Sequence, residues 1–186
     1  MKVEATALRG VVIIEPRAFG DERGFFLETY RAQAYREQAG IEHGFVQDNH
    51  SRSRRGVLRG LHYQLKRPQG KLVQVVRGEV FDVAVDIRLD SPTFGQWVGV
   101  LLDDRDHRQL YIPPGYAHGF CVLSEVADFF YKCTDYYDSS SEQGVLWNDP
   151  DIGIDWPLDQ VQLSARDSAN PTLAQQSADR LPRYRD

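Results

Sequence analysis

The clearest pattern along the chain is a strict alternation near its middle. Phe81, Val83, Val85 and Ile87 are apolar, and Asp82, Ala84, Asp86 and Arg88 stand between them. A period of two marks a β-strand with one face on a core. On this reading Asp82 and Asp86 belong to the wet face. The run 71–76 leads into this strand through Arg77-Gly78-Glu79, which reads as a tight hairpin. Further strands are predicted at 97–102, 109–112, 119–123 and 127–134, separated by short turns carrying Gly, Pro, Asp or Ser. The β texture starts at Val57. Before it, good helix formers over 31–38 end at Gly40, a natural C-terminal stop. A second short helix is expected at about 171–178, with Pro171 in its first turn. Many short strands and few helices predict an all-β, antiparallel sandwich or barrel; no strand–helix–strand rhythm supports a parallel sheet.

Composition narrows the function more than the fold. The 186 residues suit one domain, 1–186, with a real core. A net charge of −5 argues against a nucleic-acid partner. Apolar runs such as 11–14 are far too short to span a membrane, and Glu4 interrupts the N-terminal stretch where a leader would be apolar. Cys121 and Cys133 do not form a secreted disulfide framework, so a cytoplasmic protein with two reduced thiols is expected. The absence of G-x-G-x-x-G removes sequence support for a nicotinamide or flavin.

The candidate chemistry lies in two Gly-punctuated segments, SRSRRGVLRGLHYQ at 51–64 and PPGYAHGF at 113–120. Each carries one histidine, His62 or His118. Gln64, not a second histidine, follows His62 at strand spacing, and His43, His50 and His107 fall in expected loops, so no metal site is expected. A histidine is the side chain best suited to accept a proton near neutral pH, and it works better beside a carboxylate. Asp167 and Asp82 both qualify, and the chain alone does not choose between them. Tyr131, inside ADFFYKCT, fits either a proton donor or an ordinary core side chain. Arg52, Arg54, Arg55, Arg59, Arg67 and Lys71 crowd one region. The first three read as a solvated loop, whereas Arg59 and Lys71 sit in or beside strands and suit an anion. On a straight strand Arg59 and His62 would face opposite sides, and a bulge at Gly60 would re-aim one of them.

Taken in order, the motifs resemble one known family over about 19–167. They are Phe19-Gly20-Asp21-Glu22-Arg23-Gly24-Phe25-Phe26-Leu27-Glu28, Gln47-Asp48-Asn49, Gly56-Val57-Leu58-Arg59-Gly60-Leu61-His62-Tyr63-Gln64 and Lys71-Leu72-Val73, followed by Asp82-Val83-Ala84-Val85-Asp86, Ser91-Pro92-Thr93-Phe94-Gly95, Tyr111-Ile112-Pro113, Ala117-His118-Gly119-Phe120, Tyr131-Lys132 and Asp149-Pro150. The set is similar to the dTDP-4-dehydrorhamnose 3,5-epimerases, of the RmlC-like cupin fold. The tail at about 164–186 is polar. The resemblance implies an antiparallel jelly-roll barrel with a few short peripheral helices and an N-terminal arm at about 1–30. It implies a homodimer whose arm completes the neighbour's site, and neither metal nor cofactor. The implied reaction converts dTDP-4-dehydro-6-deoxy-D-glucose to dTDP-4-dehydro-L-rhamnose. His62 is then the base, Asp167 its carboxylate, Tyr131 the acid and Lys71 the group that stabilises the enolate. Arg23, Glu28, Gln47, Asn49, Arg59, His118, Tyr137 and Glu142 are implied substrate contacts, with Tyr137 stacking on thymine. Arg166 stands where the family often has lysine, which keeps the charge and changes the hydrogen-bond geometry. An epimerase of one carbon only, a non-catalytic sugar-binding cupin and a metal-dependent oxygenase are the competing classes.

Overall fold

A computed structural model describes residues 1–184. In chain order its elements are β1 (Lys2–Ala5), β2 (Val12–Glu15), β3 (Ala18–Asp21), β4 (Gly24–Leu27), α1 (Ala32–Ala39), β5 (Gln47–Arg54), β6 (Leu58–Gln64), β7 (Lys71–Arg77), β8 (Glu79–Asp86), β9 (Trp97–Asp103), β10 (Gln109–Ile112), β11 (Tyr116–Val122), β12 (Val126–Cys133) and β13 (Glu142–Gly144). Two antiparallel sheets face each other, one in the order β1-β2-β10-β7-β12-β5 and the other β13-β6-β11-β8-β9. Apart from β1–β2 and β8–β9, strands adjacent in these two sheets are distant in sequence, as in a jelly roll. Between the sheets lies the main core, including Val73, Val80, Leu102, Leu110 and Phe129. Phe120 from one sheet stacks on Phe129 from the other at 4.1 Å between ring centroids.

Two strand expectations need correction. The turn at Gly78 does not make a hairpin. β7 and β8 lie in opposite sheets, so the chain crosses from one layer to the other there. Gly78 has φ +84, and an added Cβ would meet the Val126 carbonyl oxygen at 2.2 Å. Only glycine fits that corner. The second correction concerns β8, which has no wet face. Val80 and Ala84 point between the sheets, while Val83, Val85 and Ile87 are covered by Val145, Ile152, Leu173 and Leu181. Asp82 and Asp86 are therefore both fully buried. Asp86 is satisfied locally by Arg88, Ser91 and Thr93. Burial pushes its pKa up, but those bonds outweigh burial and hold it below the usual carboxylate range.

The helix appears as α1, one residue offset from expectation. Gly40 ends it at φ +68, donating its N–H to the Arg36 carbonyl. Ala34 and Tyr35 pack on Ile14, Leu72 and Tyr111 of the larger sheet. The helix expected at about 171–178 is instead two 3₁₀ turns, Leu173–Gln175 and Ala178–Arg180. The chain becomes extended at Gln176, and Leu173 is held by its own burial and by its N–H to Asp149. Of the segment expected to be an arm, β1 and β2 join the larger sheet, and only the β3–β4 hairpin stands as a separate two-stranded sheet. Among the described residues, no helix is long and apolar enough to cross a membrane.

Candidate active site

The site begins with an irregularity in β6. His62 pairs with His118 and Arg59 with Phe120, so three steps along β6 oppose two along β11. The extra residue is the bulge expected at Gly60. Gly60 has φ +138, and a Cβ there would meet the Gly119 Cα at 2.6 Å. Two glycines facing each other let the strands approach closely enough for the bulge to form. Its consequence is that Arg59 and His62, which a straight strand would place on opposite faces, line the same cavity of about 530 Å³. Lys71, His118, Tyr131, Arg166 and Asp167 also line it.

A second cavity of about 310 Å³ shares His62, Lys71 and Tyr131 with the first and adds Gln47, Asn49, Tyr137 and Glu142. The residues come from both layers. His62 lies on β6 and His118 on β11 of the smaller sheet, and Lys71 on β7 and Tyr131 on β12 of the larger one. The cleft therefore runs between the sheets, with imidazole on one wall and phenol on the other.

The two histidines have separate carboxylates. His62 Nε2 lies 2.6 Å from Asp167 Oδ1. Burial raises the Asp167 pKa, but bonds from His62, the Gly60 backbone and Ser164 prevail and hold it below the usual range. An ionised Asp167 is an acceptor only, so neutral His62 carries its proton on Nε2 and leaves Nδ1 as the basic atom. Asp82, the other candidate, belongs instead to His118, with both oxygens 3.0 Å from Nε2. Burial pulls the His118 pKa below its usual value, so its imidazole is neutral.

Lys71 and Tyr131 have complementary properties. Burial lowers the Lys71 pKa, partly offset by Cys133, Glu142 and Asp82. A poorly solvated ammonium interacts strongly with new negative charge nearby. Burial pushes Tyr131 up to about 12, with Cys133 and Glu142 adding to the effect, so the phenol stays protonated at neutral pH. Its ring packs on Phe129 at 5.9 Å.

At the mouth, Arg59 donates to Ser53 Oγ at 3.1 and 3.2 Å. Tyr137 Oη donates to Glu142 at 2.7 Å, and Arg166 pairs with the same carboxylate. Burial raises the Glu142 pKa, but these two partners outweigh it and leave it lowered. Tyr137 is 50% exposed, and its backbone N–H reaches Gln47 Oε1 at 3.0 Å. Gln47 in turn donates to Asn49.

Two expected contacts lie elsewhere in this chain. Arg23 is paired with Asp21 on the β3–β4 hairpin, and Glu28 with Arg31. Neither lines the two cavities.

Gln47–Arg54 is the edge strand β5, so His50 and the arginines before Gly56 are not all in a loop. His50 and Arg52 both bind Asp128, which Arg52 above all holds down to about 2. Ser51, Phe120, Phe129 and the 162–164 stretch are wall residues that the sequence did not announce. For Ser51 a signal existed, since Gln47, Asn49 and Ser51 share one strand face. The 162–164 stretch lies outside any strand and gave none.

Asp82 yields a testable consequence. Burial raises the Asp82 pKa, against the pull of His118 and Lys71; Asp82→Asn keeps a hydrogen-bond acceptor for His118 but removes the carboxyl whose charged form raises the Lys71 pKa. Cys133 and Glu142 then remain as the groups that raise it. The alkaline limb of the kcat/KM profile is expected to move to lower pH. An unchanged profile would show that Asp82 and Lys71 are not coupled.

The chain matches the family model for dTDP-4-dehydrorhamnose 3,5-epimerase over residues 5–175. It is 59% identical over 177 residues to the dTDP-4-dehydrorhamnose 3,5-epimerase of Salmonella typhimurium, spanning 94% of this chain and 97% of that one. A crystal structure of the dTDP-6-deoxy-D-glucose-3,5-epimerase of Legionella pneumophila in complex with dTDP-4-keto-L-rhamnose matches with a TM-score of 0.97 and 58% identity, covering 100% and 99% of the two chains. A dTDP-4-dehydrorhamnose 3-epimerase of Streptomyces niveus is 41% identical, covering 99% of this chain and 90% of that one.

Proposed function

The chain belongs to the dTDP-4-dehydrorhamnose 3,5-epimerase family, and from that membership we propose how its cleft inverts C3 and C5 of dTDP-4-dehydro-6-deoxy-D-glucose to give dTDP-4-dehydro-L-rhamnose. The carrying observation is the pairing of His62 with ionised Asp167 on one wall and protonated Tyr131 on the other.

The C4 ketone acidifies the C–H bonds on both neighbouring carbons, because either carbanion is delocalised as an enolate. His62 Nδ1 removes the proton from one face. The electron pair of that C–H bond moves into the ring, and negative charge develops on the C4 oxygen. Lys71 faces that oxygen and stabilises the charge. Tyr131 gives its proton to the same carbon from the opposite face, which inverts it. The imidazolium then loses a proton to solvent and the phenolate regains one, so each turnover restores the starting state. Asp167 holds the imidazole in the productive tautomer and stabilises it when charged. Proton transfer at each positioned group contributes about 10²–10⁴-fold.

Arg59 and Arg166 bind the diphosphate, Tyr137 stacks on thymine, and Gln47, Asn49, His118 and Glu142 contact the ligand. Arg59→Ala is expected to weaken dTDP binding about 10–100-fold with a smaller change in kcat. Equal affinity by calorimetry would remove Arg59 from the phosphate site.

Arg23 and Glu28 act on a partner subunit's site. The hairpin that carries Arg23 exposes Phe19, Phe25 and Phe26, each more than half accessible. Three exposed phenylalanines on one small hairpin suit burial against a second copy. Sedimentation is expected to give twice the chain mass. The protein acts as one domain in the cytoplasm, where the buried free thiols Cys121 and Cys133 stay reduced.

Turnover in D₂O tests the reaction. Deuterium is expected at both C3 and C5 of the product. Label at one carbon alone would make the protein a mono-epimerase.

A further inference from the structure

Four carboxamides line the smaller cavity: Gln47, Asn49, Gln64 and Gln69. Three of them are satisfied within the protein. Gln47 accepts from the Tyr137 backbone, Asn49 reaches Cys133 Sγ at 3.6 Å, and Gln69 donates to the Asp135 carbonyl at 2.7 Å. Gln64 differs. Its residue is 7% exposed, and its Oε1 is buried with no hydrogen-bond partner among the described residues. A buried amide oxygen without a donor is costly, and folded proteins rarely tolerate one without a use.

Position supports a use. After the bulge at Gly60, β6 resumes its alternation, so Gln64 shares the cleft-facing side of the strand with His62. Leu61 and Tyr63, on the other side, pack under the C-terminal segment. Gln64 thus lies one strand repeat beyond the base and lines the same cavity as Lys71, Tyr137 and Glu142.

We infer that Gln64 is a ligand-binding residue, whose amide takes a part of the dTDP-sugar that offers a hydrogen-bond donor beside an acceptor. The inference rests on the nucleotide-sugar reading above and adds a contact to it. Two parts of such a ligand have that chemistry: the imide edge of thymine, and the oxygen-bearing carbons of the hexose.

Gln64→Met separates them, because it keeps the length of the side chain and removes its hydrogen bonding. Three measurements are made on parent and variant: dTDP affinity by calorimetry, steady-state kinetics with dTDP-4-dehydro-6-deoxy-D-glucose, and thermal stability. A roughly tenfold weaker Kd for dTDP assigns the contact to the base. An unchanged Kd for dTDP with a roughly tenfold higher KM assigns it to the hexose. In either case Tm is expected to hold or rise, because the substitution removes an unsatisfied polar group from the interior. Affinity and KM both unchanged overturn the inference, whatever happens to Tm. Gln64→Asn withdraws the same amide by one methylene and is expected to give the same loss if the Met variant folds poorly. A parent protein that binds no dTDP and turns over no substrate would refute the functional reading instead.

Discussion

His62→Asn is expected to lower kcat by about 10²–10⁴-fold and to stop deuterium entering the substrate from D₂O. Asparagine is too short to reach Asp167 as Nε2 does, but Asp167 keeps its bonds from the Gly60 backbone and Ser164, so the fold is expected to survive. What disappears is the basic nitrogen that the other side of the imidazole presents to the cleft. Affinity for dTDP should stay near the parental value, because the nucleotide contacts lie on other residues. Loss of rate with retained affinity is the signature of an interaction made only in the transition state. A variant that still exchanges substrate protons at the parental rate would place the base elsewhere.

Tyr131→Phe should separate the two halves of the reaction. It removes only the phenol oxygen, and the ring can keep its packing on Phe129. Inversion is expected to fall by about 10²-fold or more. Exchange is expected to persist, since His62 can still take a proton and return a deuteron to the same face. Recovered substrate would then be labelled but not inverted. Equal loss of exchange and inversion would mean that Tyr131 takes part in the first proton transfer. Inversion at the parental rate would assign the acid to another group.

How legible these features were in sequence depends on what each one rests on. The alternation in β8 showed the strand correctly but misassigned its faces. Periodicity records which residues differ, not which side is dry. Asp82 looked like a surface acid because nothing local revealed the second layer formed by Val145, Ile152 and Leu173. β5 was missed for a related reason. Its sequence, QDNHSRSR, has no apolar residue. One face is polar because it lines the cleft, and the other because it meets solvent. The bulge at Gly60 was legible, because a glycine between two residues that must point the same way is a specific signal. The turn at Gly78 was not, since the same tripeptide serves a hairpin or a crossing between sheets. The choice between Asp82 and Asp167 as partner of His62 needed the ordered motifs or the fold. Asp167 is 105 residues away along the chain, and no local pattern spans that distance.

Inversion requires His62 and Tyr131 to flank the hexose from opposite sides. The most direct measurement is a crystal structure of the His62→Asn variant with dTDP-4-dehydro-6-deoxy-D-glucose bound. It is expected to show the side chain at position 62 against one face of the ring, the Tyr131 hydroxyl against the other, and the Lys71 ammonium at the C4 oxygen. Both side chains on one face, or a hexose seated away from them, would contradict it.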